Sequence, residues 1–233
     1  MKPLYKKELN YYLNNPLGYI VVILFAVFTN FFYIKDIFTV GQVSMKSFLG
    51  ILPWLLLVFV PAVTMRIFAE EKKNNTLETL LSLSISESQI VVAKFLALLT
   101  IMGIALALTL ALPVILIFTS GLFFPEVLIG YIGVFAMGAF FIALSMFFSA
   151  QTKNQVIALL LSVIVIFFLL IINSDFNAAV LPKELQDQLS YFSPVYHLQN
   201  FIKGILDFRS LFYFLSGTAL FLFLTGIDLE KRD

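Results

Sequence analysis

Six apolar runs, at 18–34, 48–65, 95–118, 127–148, 155–173 and 210–227, divide the chain, and every charged residue lies between or beyond them. A bilayer core of ~30 Å takes about 20 apolar residues of helix, and in lipid only helices and closed barrels satisfy their own backbone. The pattern predicts an all-α integral membrane protein, six transmembrane helices in a single domain spanning 1–233. Ahead of the first run, residues 4–16 place Tyr5, Leu9, Tyr12 and Leu13 on one helical face, with Lys6, Lys7, Asn10 and Asn14 opposite and Pro16 closing the segment. Such a helix lies in the membrane interface, with tyrosines at headgroup depth and lysines toward anionic lipid. A plain anchoring elbow would account for it equally well.

Between the second and third runs the pattern changes to charged and amphipathic. Asn75-Thr76-Leu77-Glu78 has the form of a capping box, after which Leu77, Leu80 and Leu81 share one face of a helix over about 75–83. Ser86-Glu87-Ser88-Gln89 is a second box, starting the helix that runs through Lys94 into the third span. A helix of about two turns is not stable alone in water, so its leucine face must dock on lipid, on the chain's own spans or on a partner. Pro53, Pro61 and Pro113 free the carbonyls of Leu49, Leu57 and Thr109, so bends are expected there, as in many static bundles. In the fourth run Gly130, Gly133, Ala136, Gly138 and Ala139 form a small-residue strip that intrachain packing explains. The longer external segment, 174–209, precedes the last helix. It offers Leu185, Leu189, Phe192 and Tyr196 to one face, and Phe201, Ile202 and Ile205 form a second apolar patch.

Composition agrees: 61% hydrophobic and 12% charged residues, with a mean hydropathy of +0.98, lie far from globular norms. With the N-terminus inside, 10 of the 15 Lys and Arg residues fall on the cytoplasmic side, so both termini are expected there. The first apolar run is too long for a signal-peptide core and no cleavage pattern follows it. The spans carry no ionisable side chain, which argues against proton or sodium coupling. There is no G-x-x-x-x-G-K-[ST] loop to cradle phosphates. Cysteine is absent, which removes thiolate catalysis and Cys-ligated metals. His197 is the single imidazole and has no partner set for haem or zinc. It reads as a hydrogen-bonded surface histidine, and the chain as non-catalytic.

Residues 61–97, PAVTMRIFAEEKKNNTLETLLSLSISESQIVVAKFLA, resemble the region between the second and third spans of ABC-2 type transporter permeases: a Pro-x-x-Thr-Met-Arg helix end, Glu-Glu, a Gly-Thr-Leu-Glu coupling helix and a Gln-Ile-Val…Lys lead into the third helix. SAQTKNQVIA at 149–158, FSPVYHLQNFIKGILDFRSLFYF at 192–214 and the N-terminal KKELNYYLNNPLGYI extend the likeness over most of the chain. It is strongest to the small gliding-motility-associated and nitrous-oxide-accessory permeases. Three positions depart from the pattern: Asn75 for a usual Gly, Ser84 for a usual Pro, and Ala93 for a frequent Gly.

The resemblance implies a permease subunit of an ATP-driven exporter in the inner membrane of a prokaryote. Its partners would be a separate ABC ATPase, which holds ATP and magnesium, a second permease copy in a homodimer or close heterodimer, and membrane lipid; nucleic acid is not a partner. By carry-over the ATPase contact falls on Glu70, Glu71, Thr76, Leu77, Glu78, Leu80, Leu81, Lys153 and Asn154, near the N-terminal helix. Helices 1, 2 and 5 would surround the path, where Thr29, Asn30, Thr64 and Ser162 are the few polar groups, pointing to an amphipathic or lipid-like cargo. Short helices in 174–209 would cap the path at the outer leaflet. Two other functions remain open: a mechanical transmitter driven by ATP and acting on an envelope partner, and a passive anchor or assembly subunit.

Overall fold

The computed structural model describes residues 1–40, 44–81, 86–120, 123–172 and 188–230, and all regular structure among them is helical. The elements are α1 (Lys2–Asn14), α2 (Pro16–Val40), α3 (Met45–Thr64), α4 (Ala69–Lys73), α5 (Thr76–Leu81), α6 (Glu87–Thr109), α7 (Ala111–Ser120), α8 (Phe124–Gln151), α9 (Gln155–Ile171), α10 (Pro194–Ile202) and α11 (Phe208–Glu230). Among the described residues five stretches are long and apolar enough to cross a membrane: Gly18–Phe38, Met45–Lys73, Glu87–Thr119, Phe124–Gln151 and Phe208–Glu230. The remaining expected span, 155–173, is the shorter α9, of 17 residues. The turn around Ser84, Leu185 and the start of the external segment lie outside the described residues.

Local chemistry sets the boundaries. Asn15 is extended (φ −94°, ψ 129°) ahead of Pro16, where α1 gives way to α2, because proline disfavours the helical region for the residue before it. The third span divides at Leu110, between α6 and α7, since Pro113 cannot donate to the Thr109 carbonyl. Thr109 turns its own hydroxyl back to Leu106 O (2.7 Å) and shares a 2.9 Å hydrogen bond with the Tyr131 hydroxyl. By contrast α3 continues through both Pro53 and Pro61. At the α8–α9 turn the Asn154 side chain accepts from Val156 N at 2.9 Å and caps α9.

Helix α8 is the centre of the bundle, packed by α3, α6, α9, α10 and α11. Its small-residue strip is where the neighbours come closest. A Cβ at Gly130 would overlap Leu49 of α3, one at Gly133 would meet the Phe201 ring of α10, and one at Gly138 would overlap Met102 of α6. Phe140 then packs on Tyr213, Phe214 and Phe221 of α11.

Helix α1 departs from its expected orientation. Its buried residues are Leu4, Glu8 and Tyr12, whereas Leu13 is exposed and Tyr5 and Leu9 are half-buried. The face is rotated because a carboxylate, Glu8, is among the groups turned inward, and an apolar pattern is blind to a buried charge whose partner lies elsewhere in the chain.

Candidate functional site

Residues 65–68 interrupt the regular helix between α3 and α4, and a helix end leaves carbonyls without partners. Three side chains from three other helices take them. The Tyr12 hydroxyl of α1 donates to Val63 O at 2.9 Å, Ser149 Oγ of α8 donates to Met65 O at 2.9 Å, and Lys94 Nζ of α6 donates to Ile67 O at 3.1 Å. Ser149 Oγ also accepts from the amides of Phe68 and Ala69, both at 3.2 Å. Burial and then the Glu8 carboxylate push the Tyr12 phenol well above its ordinary pKa, so it stays a donor. The four-residue linker is thereby pinned by α1, α6 and α8.

Lys94 is the centre of this arrangement. It lies about two turns into α6 and its side chain is 1% exposed. The ammonium donates to Glu8 Oε1 at 2.9 Å and Glu71 Oε1 at 2.8 Å, and it stands 5.3 Å from the centre of the Phe68 ring. A buried ammonium survives only with partners of this kind, since removing a charge from water costs several kcal/mol. Beside it Arg66 bridges to Glu70 at 3.0 Å, donates to the Tyr11 hydroxyl and covers the Tyr11 ring at 4.9 Å. On the far side of α4, Lys72 pairs with Asp228 of α11 at 3.4 Å. Between α1 and α4–α5 a cleft of about 440 Å³ opens, lined by charged groups of both signs, Lys7, Glu8, Arg66, Glu70 and Glu71 among them.

Helix α5 hangs from this base. Asn75 has φ +55°, the left-handed region that favours Gly or Asn just beyond a helix C-terminus, and it follows Asn74, which ends α4 with its amide on Glu70 O at 3.0 Å. This corrects the expected box: an N-cap residue is extended, whereas Asn75 forms the left-handed turn between two helices. At the second box Ser86 has the extended geometry of a cap (φ −68°, ψ 149°), but its hydroxyl lies 3.2 Å from Ser88 Oγ and caps no helix amide. Leu77 and Leu80 are buried in the chain's own core, while Thr76 and Glu78 are exposed. The side chain of Leu81 lies outside the described part. Lys153 and Asn154 are exposed in the turn between α8 and α9, both of which pack on α4.

Arg66, Glu70, Glu71 and Lys94 of the 61–97 stretch and Ser149 of the 149–158 stretch meet around one linker. Of the other residues carried over as the ATPase contact, Leu77 and Leu80 turn inward and Thr76, Glu78, Lys153 and Asn154 stay exposed. The family profile described as ABC-2 family transporter protein matches residues 6–227. The chain belongs to the ABC-2 transporter family. No curated protein sequence matches it. As an ABC-2 family member with five apolar helices of spanning length, it is a multi-pass membrane protein and the transmembrane component of an ABC transporter, and its family implies an ABC ATPase subunit as partner.

Of the polar residues expected along the path in this ABC-2 protein, Thr64 ends α3 beside the linker, and Thr29, Asn30 and Ser162 lie within α2 and α9. Thr29, Thr64 and Ser162 are buried within the single chain, and Asn30 is half-buried. Thr64 and Ser162 return their hydroxyls to their own helices, at Val60 O and Ala158 O, both 2.8 Å away. The polar atoms Thr29 Oγ1 and Asn30 Oδ1 have no hydrogen-bond partner among the described residues. What α2 and α9 expose instead is apolar: Ile23, Val27 and Phe31 on one, Leu160, Ile164 and Phe168 on the other.

At the opposite end His197 of α10 is 4% exposed, so the expectation of a surface histidine is corrected. Its Nδ1 is 3.2 Å from Ser210 Oγ and its Nε2 is 2.9 Å from Tyr191 O. The ring stacks on Tyr213 at 4.0 Å. Burial lowers its pKa, more than the Tyr191 carbonyl and Asp207 raise it. Asp207 accepts from Ser210 Oγ (2.7 Å), Asn200 Nδ2 (2.9 Å) and Arg209 N (3.0 Å), and these bonds, that from Ser210 foremost, hold its carboxyl below the usual range. The expected second patch is split, with Phe201 fully buried and Ile205 exposed.

The burial of Glu8, and the place of Lys94 between Glu8 and Glu71, were not legible as a site. The available signal was Glu8 itself, one acid within an otherwise basic and aromatic amphipathic segment.

Proposed function

We propose that this chain is the permease subunit of an ATP-driven ABC-2 exporter, in which a separate ATPase presses on the α4–α5 arm and the charged hub passes that movement to the bundle. The observation that carries the reading is the Lys94 ammonium, bound at once to Glu8 of α1, Glu71 of α4 and Ile67 O of the linker. A small arm otherwise joined by a turn is made one body with α1, α6 and α8. In this reading α9 is the sixth span, since 17 residues lie at the lower limit for crossing. Both termini are then cytoplasmic, and α10 lies at the outer leaflet.

The docking face is what the arm shows outward: Thr76 and Glu78 on α5, with Lys153 and Asn154 beside α4. Leu77 and Leu80 shape the arm from inside. Glu70 and Glu71 keep their intrachain partners and line the cleft into which a basic group of the ATPase fits. Two copies meeting through the apolar faces of α2 and α9 would enclose a path suited to an amphipathic or lipid-like cargo.

The test is co-purification of ATP hydrolysis with tagged full-length chain from its native membrane, for wild type and for T76R/E78K. Both substituted side chains are exposed, so folding is preserved, and like-charge contact costs several kcal/mol at an interface. Co-purified activity should fall by at least about tenfold. Folded wild-type chain that brings no ATPase would refute the reading in favour of a passive anchor.

A further inference from the structure

A second feature lies apart from the hub, on the flank of the bundle. A groove of about 740 Å³ runs along α6 from Ala93 to Ala107, walled by Met1 and Tyr5 of α1 and closed by Phe135 of α8. Its floor is low because Gly103 has no side chain, and the nearest atom to a Cβ there would be Phe135 Cε2 at 3.7 Å. The fourteen steps from Ala93 to Ala107 correspond to about 21 Å of helix, more than the ~15 Å hydrocarbon depth of one leaflet.

The surface of this groove is nearly all apolar. Its two hydroxyls, Tyr5 and Thr100, satisfy each other at 2.9 Å. Among the described residues the one charged side chain that lines it is Lys2, beside Met1, with Lys6 exposed one turn further along α1. Among the described residues no acidic side chain lines the groove, in contrast to the cleft at the hub.

We propose that this groove seats an acyl chain of an anionic phospholipid, whose phosphate is held by the Lys2 ammonium. Length and apolarity fit a hydrocarbon chain, and charge selects the headgroup. A second copy of this chain is a poorer occupant. Isologous packing sets the same patch against itself, which brings Lys2 toward Lys2 with no acid in the groove to separate them. The inference rests on the membrane embedding of the chain and is independent of the ATPase reading.

The test is native mass spectrometry of the full chain released from bilayers of equal phosphatidylglycerol and phosphatidylcholine. Wild type should retain one phosphatidylglycerol per chain, preferred about fivefold, the factor expected for one lysine near a membrane surface. K2E should abolish the preference, and G103L, which fills the groove, should lose both lipids. Lys2 is exposed, so K2E tests the headgroup contact even where G103L fails to fold. Equal retention of the two lipids by wild type, an unchanged preference in K2E, or a second copy of the chain in place of lipid would overturn the proposal.

Discussion

The two ends of the bundle solve the same problem, polar groups near a membrane boundary, with bonds of very different reach. At the α4 end, besides the local Arg66–Glu70 bridge, bonds join residues far apart in the chain: Lys94 to Glu8 across 86 positions, Phe68 to Ser149 across 81, Lys72 to Asp228 across 156. At the α10 end the side-chain bonds among the described residues are all local, from 2 positions for Arg209 to Asp207 up to 21 for Tyr213 to Phe192. One end ties separate helices into a unit, while the other folds a short segment back onto the helix that follows it. Long-range ionic ties suit a place where force must enter the bundle. Local hydrogen bonds and ring stacking suit a segment that only has to stay in position.

If the α4 end is the unit proposed, breaking it should have the largest effect. K94M removes the cation and leaves Glu8 and Glu71 facing each other in a buried site, at an expected cost of about 3–5 kcal/mol. Thermal unfolding of the detergent-solubilised chain should show a large fall in Tm, and the triple variant K94M/E8Q/E71Q should recover part of it. A Tm unchanged in K94M would mean that the hub binds nothing together.

S149A sharpens the same contrast at lower cost. It strands the amides of Phe68 and Ala69, which donate to Ser149 Oγ, and a buried donor left without a partner costs about 1–3 kcal/mol. Hydrogen exchange should rise in 65–73 and stay unchanged in α10. A rise spread evenly over both ends would dissolve the distinction drawn between them.

The smallest effect concerns the α10 end and pH. The His197 pKa is lowered in the folded chain, so between that value and the unfolded ~6.5 the unfolded state binds more protons. Its contribution is fully present above about pH 6.5 and is lost as pH falls toward the folded value. Asp207, also depressed, loses its contribution only at more acidic pH, from the ordinary Asp value of ~3.9 down toward its lower folded value. Tm should therefore drop from pH 7.5 to 5.5 in wild type and drop less in H197Q. An equal drop in both would assign the pH dependence to other groups.

Much of the fold was legible because apolar runs of spanning length have few alternatives in lipid. Five of the six runs correspond to helices long enough to cross, the split near Pro113 followed from the missing amide, and the glycines of α8 marked close packing. The capping boxes were misread in their detail: Asn-Thr-Leu-Glu satisfies the box pattern, but Asn75 serves as a left-handed turn between α4 and α5. His197 looked like a surface residue because it falls in a long segment between spans, and although Tyr191, Ser210 and Tyr213 are near it in sequence, only the folding of that segment onto α11 sets them around the ring.

The sequence alone, then, determined membrane embedding, helical class and family, because each rests on properties that add up along the chain: hydropathy, helix period and the order of motif residues. The tertiary structure alone decided which way α1 faces, that Leu77 and Leu80 turn inward, and that Lys94 is a buried tie rather than a residue at the water boundary. Those outcomes depend on pairs separated by tens of residues, and an ion pair has no signature until folding brings its two halves within 3 Å.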